Sequence, residues 1–562
     1  MHIRTIFLVI FASFFSDLYS QPQRVRFPLN NDILLAGHFG EPRQNHFHSG
    51  VDFKTFKEGL AVYAINDGFV SRIVVATYGY GLALYINHPD GFTSVYAHLS
   101  KFNTEIQNFI IKEMYDKKLN FIDTIFNDDK FTVKTGQIIG YSGNTGQSDG
   151  PHLHFEIRKT KTQNPLNPAG KFFNFLDNIP PELQNLYVFP ICDNFVVPEY
   201  NNVKKYKIHK ISENNYSLNG IITITGLFAL GIEYLDRMDR STNRFGAKRV
   251  RVFQDEKIIY DYVMEELVFE KQKNKNSVFD YYQLLYNKRH VHKLYVEPNN
   301  DLNVFEKVLN HGLIYIEPNR ESKFKIVVID FNGNESVLNF TIRGDFSHDY
   351  SKCNQMENVI KWNENYLFVF DDARIEIDSG TFFYDVPLRI EKKIKSGKSH
   401  YKIGEDYIFP KKSVCLCLYS ADLNPQILNK AFIARNHNNK ISYIKSEIHQ
   451  SYICANSSLL GEFFVSFDTV PPLIRPKNFS AKTNLSNFSF FEFEISDNLS
   501  GIKNYNIYIN DKWVLAEYEP KQNRLRYYFD ENLPKSQKFT IKVVVEDSVG
   551  NVSEYKSEEM SF

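Results

Sequence analysis

The segment GPHLHFEIR, residues 150–158, carries two histidines one residue apart in an otherwise apolar run. Side chains alternate between the two faces of a β-strand, so a strand here would place His152 and His154 on one face. The other face would be apolar, with Leu153, Phe155 and Ile157. Two imidazoles side by side suit a metal site, although an exposed pair without a metal fits the same pattern.

The residues around this segment favour β-structure. Short apolar runs such as GLAVYAIN (59–66), GLALYIN (81–87) and FTSVYAHL (92–99) are separated by Gly, Asn and Asp turns. One stretch breaks the pattern, because apolar residues in Asn103 to Phe126 recur at intervals of three and four. We therefore expect an all-β domain with a helical insertion.

The composition limits the class of protein. A chain of 562 residues is too long for one core, so we expect three or four domains. The 66 Lys and Arg balance 66 Asp and Glu without a dense basic run, which argues against a nucleic-acid partner. Aromatic residues make up 15% and, with many Val, Ile and Thr, favour strands.

Two distant segments share one design. FKIVVIDFNGNES (324–336) and FTIKVVVEDSVGNVS (539–553) each contain an apolar strand, an Asp, a Gly-Asn turn and a polar exit. They predict immunoglobulin-like β-sandwich domains at residues 179–345 and 468–562. Residues 346–467 between them are predicted to form another β-rich domain.

The first twenty residues have the pattern of a signal peptide. A weakly positive start is followed by the apolar run Ile6 to Phe15, and Ser20 offers a small residue before Gln21. The run is too short to span a bilayer, although a membrane anchor is the alternative. We predict cleavage after residue 20 and an exported protein without a transmembrane segment, located in the periplasm, at the cell surface or outside the cell.

The cysteines do not form a recognisable framework. There are five, an odd number, without a CxxC pair: Cys192, Cys353, Cys415, Cys417 and Cys454. A disulfide is possible, but the pattern favours small buried apolar side chains.

Two further pieces of the first domain carry histidines. HFHSGVDF (46–53) places His48 four residues before Asp52, and SVYAHLS (94–100) contains His98. Gly50 and Val51 indicate a turn into a strand. Zinc accepts His nitrogen and Asp oxygen, and catalytic zinc sites combine three protein ligands with an open position. A turn histidine and a capping aspartate would explain the first piece equally well.

The order of the motifs is more specific than any one of them. HSGVD, AINDGFV, YGYGLALYINH, VYAHLS and VKTGQIIGYSGNTGQSDGPHLHFEIR follow one another within roughly residues 35–170. This arrangement resembles the lysostaphin-type (LytM-like) zinc metalloendopeptidases, most of which cut peptide cross-links in bacterial peptidoglycan. The resemblance implies one Zn²⁺ bound by His48, Asp52 and His154, with His98 and His152 as the catalytic pair.

The chemistry agrees with what the resemblance implies. The chain has no HExxH, so a histidine must replace the glutamate base of that zincin type. We favour His152 as the base, and His98 would polarise the scissile carbonyl or stabilise the transition state.

Other polar residues near the motifs have open roles. Arg43 could bind a substrate carboxylate or pair with Glu41, and Glu156 could support His154 or be solvated. His46 is a second-choice ligand. His38 and His88 lie in turn-like surroundings and are expected at the surface.

The sequence therefore predicts a mainly β protein. A zinc metalloendopeptidase domain of antiparallel sheet at residues 21–178 would act on peptidoglycan peptides. The downstream modules are candidates for binding the cell wall or protein partners. The alternatives are an inactive scaffold or activator of wall hydrolases, and a zinc peptidase that acts on exported proteins.

Overall fold

A computed structural model describes residues 25–127, 129–191, 202–345, 358–421, 423–480, 485, 488–534 and 538–561. The predicted signal peptide at residues 1–20, together with Cys192 and Cys353, lies outside these residues. The described chain is mainly β and largely antiparallel, which confirms the predicted fold class. Within it, no helix has the length and apolar character needed to cross a membrane.

The first sheet carries all the predicted site histidines or the turns next to them. Its described strands are β1 Leu35–Gly37, β2 Val51–Lys54, β3 Ala61–Tyr63, β4 Gly68–Val75, β5 Leu82–Asn87, β6 Phe92–Phe102, β7 Ile122–Ile125, β8 Thr132–Val133, β9 Ile138–Ser142, β10 His152–Lys159 and β11 Pro165–Leu166. The main order is β1-β2-β10-β6-β5-β4-β7, with β10 between β2 and β6. Most of the segment GPHLHFEIR therefore lies on a central strand, β10.

The predicted insertion is only partly helical. Helix α1 spans Thr104–Lys117, and the Asn103 side chain caps it by accepting from the Ile106 N–H. The buried side chains Ile106, Ile110 and Met114 form one apolar stripe. The last part of the predicted helix instead contains β7, which pairs with β4. A β-branched, alternating sequence there favours the strand.

The second sheet follows directly. Its described strands are β12 Glu182–Pro190, β13 Lys204–Lys210, β14 Asn215–Leu218, β15 Ile222–Thr223, β16 Gly226–Leu235, β17 Arg249–Gln254, β18 Lys257–Val263, β19 Val291–Lys293, β20 Phe305–Val308, β21 Ile314–Ile316, β22 Glu321–Ile329 and β23 Glu335–Arg343. Short helices α2 (Lys275–Val278) and α3 (Tyr281–Asn287) and 3₁₀ turns at Phe269–Asn274 and Asn310–Gly312 interrupt it. Two short pairings, β14 and β15 with β23, are parallel.

The first and second sheets share one apolar core. A continuous cluster of buried side chains runs from Leu29 in the first to Ile342 in the second. At their contact, the His38 ring stacks on Phe331 with 4.1 Å between ring centroids. His38 and His88 are 2% and 6% exposed, so the prediction that they lie at the surface is wrong.

The third region has two five-stranded sheets and a small two-stranded one. Its strands are β24 Val359–Ile360, β25 Tyr366–Phe370, β26 Ala373–Ile377, β27 Val386–Pro387, β28 Ile390–Lys395, β29 Lys398–Ile403, β30 Val414–Tyr419, β31 Ala431–His437, β32 Lys440–Ile444, β33 Ser446–His449, β34 Tyr452–Ser457 and β35 Gly461–Phe467, with helix α4 at Pro425–Leu428. A disulfide joins Cys417 on β30 to Cys454 on β34, where the two residues pair across the sheet. The expectation of small buried thiols is therefore wrong for this pair, whereas Cys415 is free.

The last region consists of two four-stranded antiparallel sheets around one core. Its strands are β36 Leu473–Pro476, β37 Phe490–Ser496, β38 Ile502–Ile509, β39 Lys512–Val514, β40 Glu517–Glu519, β41 Arg524–Tyr528, β42 Ile541–Asp547 and β43 Val552–Lys556, with a 3₁₀ turn at Pro520–Gln522. Tyr115 of α1 stacks edge-on against Trp513 and hydrogen bonds to Asp530. The last region therefore packs against the first domain. The domain boundaries predicted from sequence remain predictions.

Candidate metal centre

The central position of β10 brings the predicted ligands together. In the sheet register, His154 lies opposite Asp52 on β2 and opposite Ala97 on β6, next to His98. His48 precedes β2 in a turn that passes close to β10. A side chain at Gly50 would place its Cβ 2.2 Å from the Phe155 carbonyl oxygen, so only glycine fits this turn.

Three ligand-type atoms converge at one point. His48 Nε2 lies 3.0 Å from His154 Nδ1 and 3.0 Å from Asp52 Oδ1, and the last two atoms are 2.8 Å apart. All three residues are buried. Their mutual distances suit donors around one small cation.

The donor set fits zinc. Tetrahedral zinc bonds of about 2.0–2.1 Å place ligand atoms roughly 3.3 Å apart, close to the spacing seen here. Two imidazoles and one carboxylate are also a combination that catalytic zinc sites use. His48, Asp52 and His154 would hold the ion.

Outer hydrogen bonds determine which nitrogen each ligand presents. His48 Nδ1 lies 2.8 Å from the His38 carbonyl, and a carbonyl only accepts, so Nδ1 donates and Nε2 faces the centre. His154 Nε2 lies 2.8 Å from Glu156 Oε1 and donates to that carboxylate, which leaves Nδ1 toward the centre. Such carboxylate–histidine contacts orient metal ligands.

Glu156 is a buried part of the site rather than a solvated side chain. It is 0% exposed and accepts hydrogen bonds from Ser49 Oγ, Tyr80 Oη and the Arg158 guanidinium. Burial opposes ionisation, but the neighbouring Arg158 and His154 hold the pKa of Glu156 well below its ordinary value. Strand alternation after His154 explains why Glu156 and Arg158 face the same side.

The charges of the centre depend on these neighbours. Burial alone would lower the pKa of His154, but hydrogen bonds with Asp52 and Glu156 raise it to about 9. Burial would raise the pKa of Asp52, yet His48, His152 and His154 hold it well below its usual range. A cation bound here therefore competes with a proton on His154.

Arg43 completes the surroundings of Asp52. Its Nη2 lies 2.9 Å from Asp52 Oδ2 and 2.9 Å from Glu41 Oε2. Arg43 thus pairs with Glu41, as one of the two predicted roles requires, and it also lines the groove. His46, the second-choice ligand, is exposed and does not join the cluster.

His98 and His152 lie beside the cluster with one nitrogen free. His98 Nδ1 is 2.7 Å from the Thr145 carbonyl, and His152 Nδ1 is 2.8 Å from the Gly150 carbonyl. Each Nδ1 therefore donates, and each Nε2 presents a lone pair. The two ring centroids are 4.8 Å apart, and His152 Nε2 is 3.5 Å from Asp52 Oδ1.

His98 has an unusual backbone and environment. Its φ of 58° lies in the left-handed region, which non-glycine residues adopt rarely and often at functional sites. Burial and the neighbouring His154 and His152 lower its pKa to about 3. His98 is therefore neutral near neutral pH, a state in which Nε2 can accept a proton.

An open groove leads to the centre. Its volume is about 1330 Å³, and its walls include Tyr78 and Tyr80, Phe269 and Gln272 of the second region, and Pro520 and Lys521 of the last. Lys521 Nζ donates to the carbonyls of Asn144 and Ser148 at 2.5 and 3.1 Å. Sequence reasoning missed this wall, because 377 residues separate Lys521 from Asn144.

Comparison with known families identifies two segments. The model of peptidase family M23 matches residues 46–114 and 120–168, the part of the chain that contains the five site residues. The model of the Zu5-like domain matches residues 357–468.

Several curated proteins share the first segment. The chain is 33% identical over 122 residues to the DD-carboxypeptidase/endopeptidase Mpg of Neisseria meningitidis, covering 22% of each chain. It is 36% identical over 110 residues to the glycyl-glycine endopeptidase ALE-1 of Staphylococcus capitis (19% of this chain, 24% of that one). It is 31% identical over 140 residues to the peptidoglycan DD-endopeptidase ShyA of Vibrio cholerae (24% and 26%). The match spans about a quarter of the length of these relatives.

Solved structures of peptidases match part of the chain. The catalytic domain of lysostaphin from Staphylococcus simulans is 28% identical, with 25% of this chain and 90% of that one covered and a TM-score of 0.19. A zinc-containing peptidase from Vibrio cholerae is 26% identical, with 25% and 37% covered and a TM-score of 0.19. The match to the family model assigns residues 46–114 and 120–168 to an M23 peptidase domain, homologous to lysostaphin-type and ShyA-type endopeptidases.

Proposed function

We propose that this protein is an exported zinc-dependent metalloendopeptidase that hydrolyses peptide cross-links of bacterial peptidoglycan. His48, Asp52 and His154 would bind the zinc, and His98 and His152 would handle protons beside it. The observation that carries the proposal is the orientation of the four histidines. Each has one ring nitrogen bonded to a protein oxygen. The other nitrogens of His48 and His154 converge with Asp52, and the rings of His98 and His152 lie beside that cluster.

The zinc ion, when bound, would supply Lewis-acid chemistry and lower the pKa of a water molecule to roughly 7. The protein side of the centre fixes which atom each proposed ligand presents. The His38 carbonyl and the Glu156 carboxylate take the outer hydrogens of His48 and His154. Arg43 balances the charge on the remaining oxygen of Asp52.

His152 is the proposed base. The Gly150 carbonyl holds the hydrogen on Nδ1, so Nε2 can accept a proton from a water molecule in the centre. The side chain is 15% exposed at the groove, which lets a protonated ring pass that proton to a leaving amine. A neutral imidazole therefore meets the requirement for a base that later acts as an acid.

His98 is the proposed partner of His152. It lines the groove beside His152, and it is placed to polarise the scissile carbonyl or to stabilise the transition state. The two rings share one geometry, so the division of roles between them remains a prediction.

The peptidoglycan substrate is proposed from the relatives and from the groove. One relative is described as a glycyl-glycine endopeptidase and another as a peptidoglycan DD-endopeptidase. The groove is open, and its volume is large enough to hold a peptide. Export of this protein is proposed because its substrate would lie outside the cytoplasm.

The experiment is a zinc and cleavage assay on the chain without residues 1–20. Bound zinc is measured by mass spectrometry, and fragments released from purified peptidoglycan are identified by liquid chromatography and mass spectrometry. His48→Ala should lose zinc and cleavage. His152→Ala should keep zinc and lose cleavage. His449→Ala, at an exposed position in the third region, is the matched control and should retain both.

Peptide fragments with new amino termini support the proposal. Wild-type protein that binds no zinc and releases nothing overturns it. Zinc binding without cleavage points to the scaffold alternative, and cleavage of exported proteins but not of peptidoglycan points to the other substrate class. Released sugars would indicate a different hydrolase.

A further inference from the structure

Three aspartates meet outside the peptidase segment, where the second sheet begins. Asp177 precedes β12, Asp236 follows β16, and Asp330 follows β22. One carboxylate oxygen of each lies within 4.8 Å of the others. Asp236 and Asp330 are 2% and 0% exposed. These carboxylates therefore converge in a largely closed place.

The hydrogen bonds of the cluster leave acceptor capacity unused. Asp330 Oδ1 accepts the backbone N–H groups of Asn332, Gly333 and Asn334, whereas Oδ2 accepts only the Asn334 amide. Asp177 Oδ1 accepts one backbone N–H, from Ile179. Each residue thus retains an oxygen with a free lone pair.

Asp236 is the member of this cluster that has a buried oxygen without a partner among the described residues. Its Oδ1 is buried and has no hydrogen-bond partner in the described part of the chain. None of the three carboxylates forms an ion pair with a described lysine, arginine or histidine. Burial and the charge of the other two aspartates raise the pKa of Asp236 well above its ordinary value. A buried acceptor that is left unpaired costs free energy unless an ion or a water molecule satisfies it.

Oxygen-only donors in a converging set match a hard divalent cation. Calcium takes six to eight oxygen ligands at about 2.3–2.6 Å, including carboxylates, carbonyls and water. We infer that Asp177, Asp236 and Asp330 bind a calcium ion, which fixes the start of the second sheet. Water molecules would complete the coordination. The site is independent of the proposed peptidase activity.

The same arrangement recurs in the last region. The second sheet is preceded by DNIPP (177–181), and the sheets of the last region are preceded by DTVPP (468–472). The late hairpin turns of these regions have the sequences DFNGN (330–334) and DSVGN (547–551). Asp468, Asp497 and Asp547 form the second cluster. Asp497 follows β37 as Asp236 follows β16, and its Oδ1 is likewise buried without a partner among described residues.

Hydrogen bonds repeat as well as residues. Asn334 Nδ2 donates to the Asp177 carbonyl, and Asn551 Nδ2 donates to the Asp468 carbonyl, at 3.2 and 2.9 Å. The second cluster differs in its hydrogen bonds, because Asp468 Oδ2 accepts the Ser500 N–H at 3.0 Å and Asp497 Oδ2 accepts the N–H groups of Leu499 and Gly501. The second cluster is also less enclosed, since Asp497 is only half-buried. It therefore provides a matched comparison within the same chain.

The test is a calcium titration of the full chain. Protein is stripped of metal, reloaded with one equivalent of zinc chloride, and titrated with calcium chloride by calorimetry. Wild type should bind calcium and unfold at a higher temperature in its presence. Asp236→Asn should bind one equivalent less and lose that share of the temperature shift. Asp497→Asn should retain the equivalent that Asp236→Asn lacks.

Circular dichroism establishes that each variant is folded. If Asp236→Asn does not fold, Asp177→Asn, at the edge of the cluster, takes its place with the same expected loss. Equal calcium stoichiometry in wild type and a folded cluster variant would overturn the inference. So would a wild-type chain that gives no calcium response and gains stability only as the pH is lowered, because the cluster would then hold protons.

Discussion

Two buried histidines, one in each of the first two sheets, have opposite chemistry. His154 on β10 is 5% exposed and His292 on β19 is 0% exposed. His154 has carboxylates at both ring nitrogens, and its pKa is raised to about 9. His292 lies near the hydroxyls of Tyr260 and Tyr234 and against the ring of Phe279, and burial lowers its pKa to about 3.

The difference shows that burial does not make a histidine functional. Burial alone produces a neutral ring that fills a core, as at His292. Carboxylates at both nitrogens produce a ring that attracts positive charge, either a proton or a metal ion, as at His154. The partners of the ring decide its role, and four predictions test this.

Removing the His154 ring should have the largest effect. His154→Ala deletes one of the three proposed metal ligands, and we expect loss of bound zinc and peptidoglycan cleavage at background. His292→Gln should keep its zinc, because the second sheet supplies none of the proposed ligands. Zinc content and released peptides are measured together. Full zinc content in folded His154→Ala would contradict the ligand assignment.

Removing the His152 ring should separate catalysis from metal binding. General acid–base groups contribute about 10²–10⁴-fold, so kcat of His152→Ala should fall by that factor with zinc content unchanged. Added imidazole should restore part of the activity, since a small base can occupy the vacated space. The same assay on His98→Ala compares the two rings. Loss of zinc in His152→Ala would place this residue among the ligands instead.

Removing one carboxylate partner should shift His154 toward the state of His292. Glu156→Gln weakens the hold on Nε2, and zinc affinity should fall about 10–100-fold. Competition with a chromogenic chelator measures the affinity. Tyr80→Phe removes only one hydrogen bond to Glu156 and should give a smaller loss. An unchanged affinity in Glu156→Gln would show that the carboxylate does not tune the ligand.

Acid should reveal His292 through stability. Its pKa is lowered from 6.5 to about 3 in the folded state, so between these values the unfolded chain binds a proton that the folded chain does not. The contribution of the neutral His292 ring to the free energy of unfolding is fully present above pH 6.5. As the pH falls toward 3, this contribution is lost by up to about 1.4 kcal/mol per pH unit. The unfolding temperature of His292→Gln should fall less steeply across this pH range than that of the wild type. Parallel curves would contradict the prediction.

Much of the site can be predicted from the sequence because its residues lie on regular strands. The alternation that pairs His152 with His154 continues through Glu156 and Arg158, so the buried support of the ligand is visible in the same nine-residue segment. The carbonyls of Thr145 and Gly150, which orient the rings of His98 and His152, cannot be predicted from the sequence. Backbone acceptors have no side-chain signature.

The misses in the fold have a common cause. His38 lies between Gly37 and Gly40 in a stretch that resembles a surface turn, but Phe331, just after a strand of the second sheet, covers it. The Cys417–Cys454 pair likewise depends on two strands that are distant in sequence. Local patterns report on neighbours along the chain, whereas these environments are made by segments that arrive from elsewhere.

Because Lys521 lines the groove, the groove is completed only after the last region has been synthesised. Synthesis proceeds from the amino terminus, so the strands that hold His48 and His154 leave the ribosome long before residue 521. The proposed ligands are synthesised early, but the far wall of their groove arrives only when the last region has folded against helix α1. The complete groove therefore requires residues from both ends of the described chain.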